Sequence, residues 1–457
     1  MRIRNAAVLA ALVAIVGACS ASSATPTPAA TPAPATTPVA TAATSAVATV
    51  AASPTPVTGV SLSGMVGGPL GMNDLAQAAI DKFNQETGNK MSLIQGTLES
   101  PLQQLMAMYA SGDVPTVFSV DLGDVSKVAD KVADLSNEKW VKDCNPELLK
   151  LTTINGQVIA FPQGVVSVGF LYNRKVIEAA TGKPFDPSTI KTRSDLAALF
   201  AQIKAAGTAP IVVSPLNWSI GGHFLFKLYD AQGDDAARAQ FVSGLKAGTV
   251  DLTQNKVFNG LMDTLDLMKK YNLNAATPLT GTQETDAKAF VQGKAAFWFM
   301  GDFAWPLMQT LGASPDGTGF GVMPVPISDD ATDPYNTKLM VTASFAELID
   351  TTKSTPDQQA AAKAWMNWFV YSPSGQDYMV NKLGNTPAFK NVTLPPANPL
   401  ARSLVSTMAS NNVYTGYQGL PADNWNVSGD FMLKYLAGKM DRPALAKALE
   451  GYWKSQK

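Results

Sequence analysis

The chain has 457 residues, too many for one ordinary hydrophobic core, so two or more lobes are expected. Its 35 Lys+Arg against 36 Asp+Glu leave a net charge of −1, which offers no basic excess for phosphates and excludes nucleic acid as a partner. With two cysteines (Cys19 and Cys144) and one histidine (His223), no zinc-type spacing can be written, and neither a metal site nor a cofactor is expected.

The N-terminal stretch "MRIRNAAVLAALVAIVGACS" opens with Arg2 and Arg4, continues with an apolar run over residues 6–16, and ends on the small residues Gly17 and Ala18. That is the layout of a secretory signal peptide, with an apolar run too short to span a bilayer. Val16-Gly17-Ala18-Cys19 resembles the lipobox of bacterial lipoproteins, which implies cleavage before Cys19 and a diacylglyceryl group on its sulfur. Residues 1–18 are therefore read as the signal peptide, and residues 19–58, rich in Ala, Thr and Pro, as a lipidated cysteine followed by a disordered tether. The expected location is extracytoplasmic, held at the cell membrane by the lipid anchor alone.

From Gly59 onward the pattern changes. "VSLSGMV" suits a first strand, and the apolar stripe Leu75, Ala79, Ile80 and Phe83 predicts a helix from Asn73 to Gly88. A strand near residues 91–94, a helix with Leu102, Leu105, Met106 and Tyr109 on one face, and the strand "TVFSVD" follow. This alternation implies a parallel sheet covered by helices. Later helices are expected over residues 194–206, 235–246, 257–271, 286–292, 356–370 and 443–454, so the folded part reads as α/β. "GMVGGPLG" precedes a helix, but its spacing fails the dinucleotide fingerprint and no lysine completes a P-loop.

The stretches "AIDKFNQETG", "MYASGDVPTVFSVD", "GQVIAFPQGVVSVGFLYNRKVIEAATG", "FVQGKAAFWFMGDFAW" and "DRPALAKALEGYWKSQK" together resemble the extracellular solute-binding proteins of ABC importers, in particular the sugar-binding group that includes maltose-binding protein. The resemblance implies a two-lobed periplasmic-binding-protein-like α/β fold, with hinge strands and a ligand cleft between the lobes. Residues 59–164 and 341–395 would form the N-terminal lobe, and 165–340 and 396–457 the C-terminal lobe, with crossings near 161–168, 341–344 and 395–399. It also implies a monomer that closes on a mono- or disaccharide and hands it to permease subunits. A polyol, phosphate ester or peptide ligand is the alternative, and a carbohydrate-active enzyme a more distant one, since no carboxylate pair stands out.

Sugars present hydroxyl edges and flat C–H faces, so their sites pair aromatic platforms with planar hydrogen-bonding side chains. Asp121 closes the strand "TVFSVD", Glu99 opens a helix, Gln163 stands at the proposed hinge, and Asn217-Trp218 follows the strand-like "PIVVS". Trp425, with Asp423 and Asn424 beside it, lies where the resemblance implies an aromatic platform. In "KAAFWFMGDFAWPLMQ" a strand over residues 295–300 should bury Phe297 and Phe299 on one face and Trp298 and Met300 on the other, before a turn and helix. There Asp302 is either a helix cap or, on the resemblance, a partner for sugar hydroxyls, with Trp305 as the ring face and the preceding aromatics as core. Cys144 and His223 are read as a buried thiol and a structural histidine.

Overall fold

The computed structural model describes residues 58–66, 73–96, 101–314, 317–343, 345–410, 412–416, 420–421 and 423–456. Contacts divide the chain before Thr55, and the fold below belongs to the unit Thr55–Lys457. The proposed leader and tether, including Cys19, lie outside the described residues, as does Glu99.

In chain order the strands are β1 (Ser61–Met65), β2 (Lys90–Leu93), β3 (Val117–Val120), β4 (Thr153–Ile154), β5 (Gln157–Val158), β6 (Phe161–Pro162), β7 (Val165–Asn173), β8 (Ala209–Val212), β9 (Ala295–Gly301), β10 (Phe320–Met323), β11 (Leu339–Ala343), β12 (Ala346–Ile349) and β13 (Val413–Thr415). Among the described residues these form two main sheets, ordered β2-β1-β3-β12-β6 and β13-β11-β7-β9-β8, with β4 and β5 as a separate hairpin.

The first sheet starts as its alternating sequence demands. Helices Asn73–Thr87 and Pro101–Ser111 connect β1 to β2 and β2 to β3, and β1 pairs parallel with both neighbours. It departs from an all-parallel sheet at β12 and β6, which add antiparallel to β3 and to β12. Neither strand is reached through a crossover helix, so the rule that makes successive strands parallel does not govern them.

The second sheet is built on β7, all nine of whose residues are buried. Its first half pairs with β11 and its second half with β10, and Gly169 sits between the two partners. A Cβ there would lie 2.3 Å from the Met323 carbonyl oxygen, so only glycine admits both strands at one edge. β9 lies along the other edge of β7. Its Trp298 and Met300 enter one core while Phe297 and Phe299 enter the other, as period-two alternation requires.

The helices carry local instructions of their own. Helix Pro356–Tyr371 has Thr355 as N-cap in a reciprocal capping box with Gln358 and Pro356 at its first position. Its buried Trp365 and Phe369 meet Phe83 of helix Asn73–Thr87 and Phe161 of β6. Helix Arg442–Ser455 starts on Asp441 and buries Leu445, Leu449 and Trp453. Each such large apolar side chain contributes about 1.5–3 kcal/mol of burial.

Candidate functional site

Among the described strands the chain changes sheet three times, at two close strand pairs and again over the longer stretch from β12 to β13. β6 belongs to the first sheet and β7, three residues later, to the second; β11 belongs to the second and β12 to the first. Val120, Ala346 and Pro162 form one register row across β3, β12 and β6. One residue beyond that row lie Phe345 and Gln163, at the crossings, and Asp121, at the end of β3 beside them.

β9 brings its own turn to the same place. After Gly301 a 3₁₀ turn, Asp302–Ala304, leads into helix Trp305–Thr310 with Pro306 near its start. A Cβ on Gly301 would fall 2.1 Å from the Phe303 ring, so the missing side chain lets that ring fold back over the strand end. Phe303 is half-buried, whereas Trp305 is only 2% exposed and packs against Phe320. Phe303, not Trp305, is therefore the ring left facing outward from this turn. Trp305, the first residue of that helix, belongs to the core.

Asp302 also departs from expectation. Gly301 holds the cap position, and the aspartate makes no side-chain cap. Its Oδ1 accepts from the Ser167 backbone N–H at 3.0 Å and its Oδ2 from the Ser167 hydroxyl at 3.1 Å, at the start of β7. Burial pushes its carboxyl up to about 7 despite these bonds. With both oxygens turned into the protein and 1% exposure, it is a tie between strands rather than a surface group for hydroxyls.

A second arm comes from a π-helical turn, Trp218–Phe224, which follows β8. Such widened turns concentrate at functional sites because they re-aim side chains. Trp218 and His223 stack edge-on at 5.5 Å, and both approach Phe303, at 6.2 and 5.9 Å. Among the described residues the buried Nδ1 of His223 has no hydrogen-bond partner, and the enclosing protein holds the imidazole down to about 4, so it is neutral near pH 7.

Helix Asn424–Leu436 supplies the third arm. Asn217 donates to Asn426 Oδ1 at 3.1 Å, and the Cβ of Trp425 lies against Gly222. Trp425 is half-buried beside this group. Its neighbours point elsewhere. The Asp423 carboxylate accepts from the Tyr452 hydroxyl at 2.8 Å, and Asn424, 1% exposed, is buried against Tyr229 and Tyr452. Asp423 is thus committed to helix Arg442–Ser455 behind it, whereas neither polar side-chain atom of Asn424 has a hydrogen bond among the described residues.

On the first-sheet side, Gln163 donates to Glu347 Oε1 at 2.6 Å while Trp365 donates to Oε2 at 2.9 Å. Burial pushes the Glu347 carboxyl up to about 8. Asp121 keeps solvent access, but surrounding protein and then the Asp124 charge push its carboxyl up to about 6, as befits a carboxylate in a concave surface. Beside Phe303 a recess of about 50 Å³ opens among Gln163, Phe345, Glu347, Tyr378 and Asn385.

The structure thus gathers Asn217, Trp218 and Trp425 with Phe303 and His223, and places Gln163 at a crossing and Asp121 at the end of β3. Sequence reasoning missed Phe303, His223, Glu347 and Asn385. One signal was available for Glu347: an acid inside the apolar strand "AELI" needs buried partners. Among the described residues no group of three His, Cys, Asp or Glu side chains could hold a metal ion, and no helix is long and apolar enough to cross a membrane.

Comparison with known proteins agrees with this architecture. RafE in complex with raffinose superposes with a TM-score of 0.69 at 15% identity, covering 86% of this chain and 99% of that one. A binding protein of Bacillus subtilis in an open conformation gives a TM-score of 0.66 at 18% identity, covering 87% and 97%. At these identities the likeness establishes the two-lobed solute-binding fold. In sequence, an uncharacterised ABC-transporter extracellular-binding protein of Pyrococcus horikoshii is 25% identical over 359 residues, 75% of this chain and 74% of its own length. A probable sugar-binding periplasmic protein of Mesorhizobium japonicum is 25% identical over 217 residues, 45% of this chain and 49% of its own. The family described as bacterial extracellular solute-binding protein matches residues 78–402, and this chain belongs to that family.

Proposed function

We propose that this protein is a lipid-anchored capture protein that holds a small sugar between its two lobes and delivers it to the permease of an ABC importer. The observation that carries the reading is the cluster of ring faces at the lobe junction. Trp218, Phe303 and Trp425 are half-buried in a fold whose other tryptophans, Trp140, Trp298, Trp305, Trp365, Trp368 and Trp453, are all buried. Such rings match the C–H faces of a sugar, and Asn217, Gln163 and Asp121 supply planar hydrogen-bonding groups around them. The strand exchanges at β6–β7 and β11–β12 support lobes of residues 59–164 with 345–395 and residues 165–343 with 396–457, which moves the expected boundary at 341 to the end of β11, because Val341–Ala343 pair in the second sheet. The protein acts as a monomer and binds without turnover, in keeping with a family of binding proteins.

A thermal-shift screen of mono-, di- and trisaccharides, polyols, phosphate esters and peptides tests this. A true ligand at a hundred times its dissociation constant raises stability by about 2.7 kcal/mol. If one of the non-sugar classes shifts the transition while every sugar leaves it in place, the carbohydrate reading is wrong.

A further inference from the structure

The recess beside Phe303 is too small for a sugar ring. A water needs about 10–15 Å³ of such space, so its roughly 50 Å³ holds about three to five water-sized groups. Whole-ligand pockets are several times larger, about 300–1,000 Å³. Its walls nevertheless carry polar atoms without partners. Asn385 and Tyr378 are 6% and 7% exposed, yet among the described residues neither the Asn385 amide nor the Tyr378 hydroxyl has a side-chain hydrogen bond. Gln163 gives its N–H to Glu347, which leaves its carbonyl oxygen as an acceptor. Gly164 makes room for this arrangement, because a Cβ there would meet the Asn385 side chain at 2.6 Å. None of these polar atoms is sealed from solvent, so each keeps access to the recess and can bond a group that enters it.

We propose that this recess is a subsite for one uncharged hydroxymethyl arm, the exocyclic CH₂OH of a hexose whose ring lies over Phe303. The proposal rests on the sugar reading above and adds which part of the sugar is recognised. Phe303 is the wall shared by the recess and the ring cluster, so a ring on Phe303 can send one substituent inward. A hydroxyl both donates and accepts, which suits the Gln163 carbonyl, the Asn385 amide and the Tyr378 hydroxyl together. A carboxylate or phosphate in the same place would be buried with no Lys or Arg among the lining residues to offset its charge.

Calorimetric titration of the full-length protein tests the assignment. Glucose, galactose and cellobiose are compared with xylose, L-arabinose and xylobiose, which lack only the arm, and with glucuronate and galacturonate, which carry it as a carboxylate. The hexose that binds is expected to do so at least tenfold more tightly than its pentose counterpart, and the uronates not at all. Asn385→Ala and the milder Tyr378→Phe should lower hexose affinity toward that of the pentose and leave the pentose unchanged, with thermal melting confirming that each variant is folded. Equal affinity for hexose and pentose in the wild type, or variants that weaken both alike, would overturn the subsite while leaving sugar binding intact. If the wild type takes none of the neutral sugars, the sugar reading falls, and the assigned occupant with it.

Discussion

Two aromatic residues two positions apart take opposite roles at the turn after β9. Phe303 lies half-open against Trp218 and His223, and Trp305 is sealed in the core. Phe303→Ala is therefore expected to weaken ligand binding about tenfold or more, worth roughly 1.4 kcal/mol, with little change in melting temperature. Trp305→Ala should instead cost about 3–5 kcal/mol of stability through the cavity it leaves. Parallel titration and denaturant unfolding of the two variants separate the roles. Glu347 makes a second prediction at this scale. Its carboxyl rises from 4.5 to about 8, so between those values the folded protein keeps a proton that the unfolded chain releases. Stability from this group is thus lost as pH rises through the window, by at most about 1.4 kcal/mol per pH unit. His223, lowered to about 4, acts in the opposite sense between that value and 6.5. The comparison that isolates Glu347 is wild type against Glu347→Gln by urea unfolding from pH 5 to 8, where the variant should lack one proton's worth of decline.

The π-helical turn Trp218–Phe224 and helix Asn424–Leu436 meet backbone to backbone. A Cβ on Gly221 would fall 2.1 Å from the Gly429 Cα, and one on Gly429 would fall 2.8 Å from the Asn217 Cα. This close approach, together with the Asn217–Asn426 bond, sets the distance between Trp218 and Trp425. Gly429→Ala should force the helix away, costing about 1–3 kcal/mol of stability and weakening binding as well, because both arms move. A buried substitution away from the rings, such as Ile80→Val on helix Asn73–Thr87, provides the control for general destabilisation. A variant with lowered stability and wild-type affinity would show that the contact does not position the ring cluster.

In the whole molecule, binding proteins of this architecture work by hinge closure around the ligand. The ring of Phe303 is tied to the crossing segments through its neighbour, because Asp302 is bonded twice to Ser167. Asn398 extends the tie, donating to the Gly384 carbonyl at 2.9 Å and, at 3.4 Å, to that of Asp302. Ser167→Ala removes the hydroxyl bond and keeps the backbone one, leaving the buried Asp302 Oδ2 without that partner, so the fold should lose about 1–3 kcal/mol. If this tie couples the ring to the hinge, affinity should drop several-fold and the ligand-induced decrease in radius of gyration should shrink, both measurable by titration and small-angle scattering. Unchanged compaction on ligand addition would show that the tie is structural only.

Much of the fold was written locally. The helix expected over residues 356–370 is found at Pro356–Tyr371 and the one over 443–454 at Arg442–Ser455, because caps, prolines and apolar spacing act within a few residues. The alternation in residues 295–300 likewise sorted its four large side chains between two cores before any partner strand was known. What the sequence alone determined about this protein is the α/β alternation, these element positions and, through motifs in order, the family. Which side chains face the ligand was decided only by tertiary structure. Asp302 meets Ser167 across 135 residues and Gln163 meets Glu347 across 184, and no local pattern encodes such a pairing. Asp302 and Trp305 look like site residues in the linear text because polarity and aromaticity are visible there. Burial is not, since it depends on chain that arrives from elsewhere.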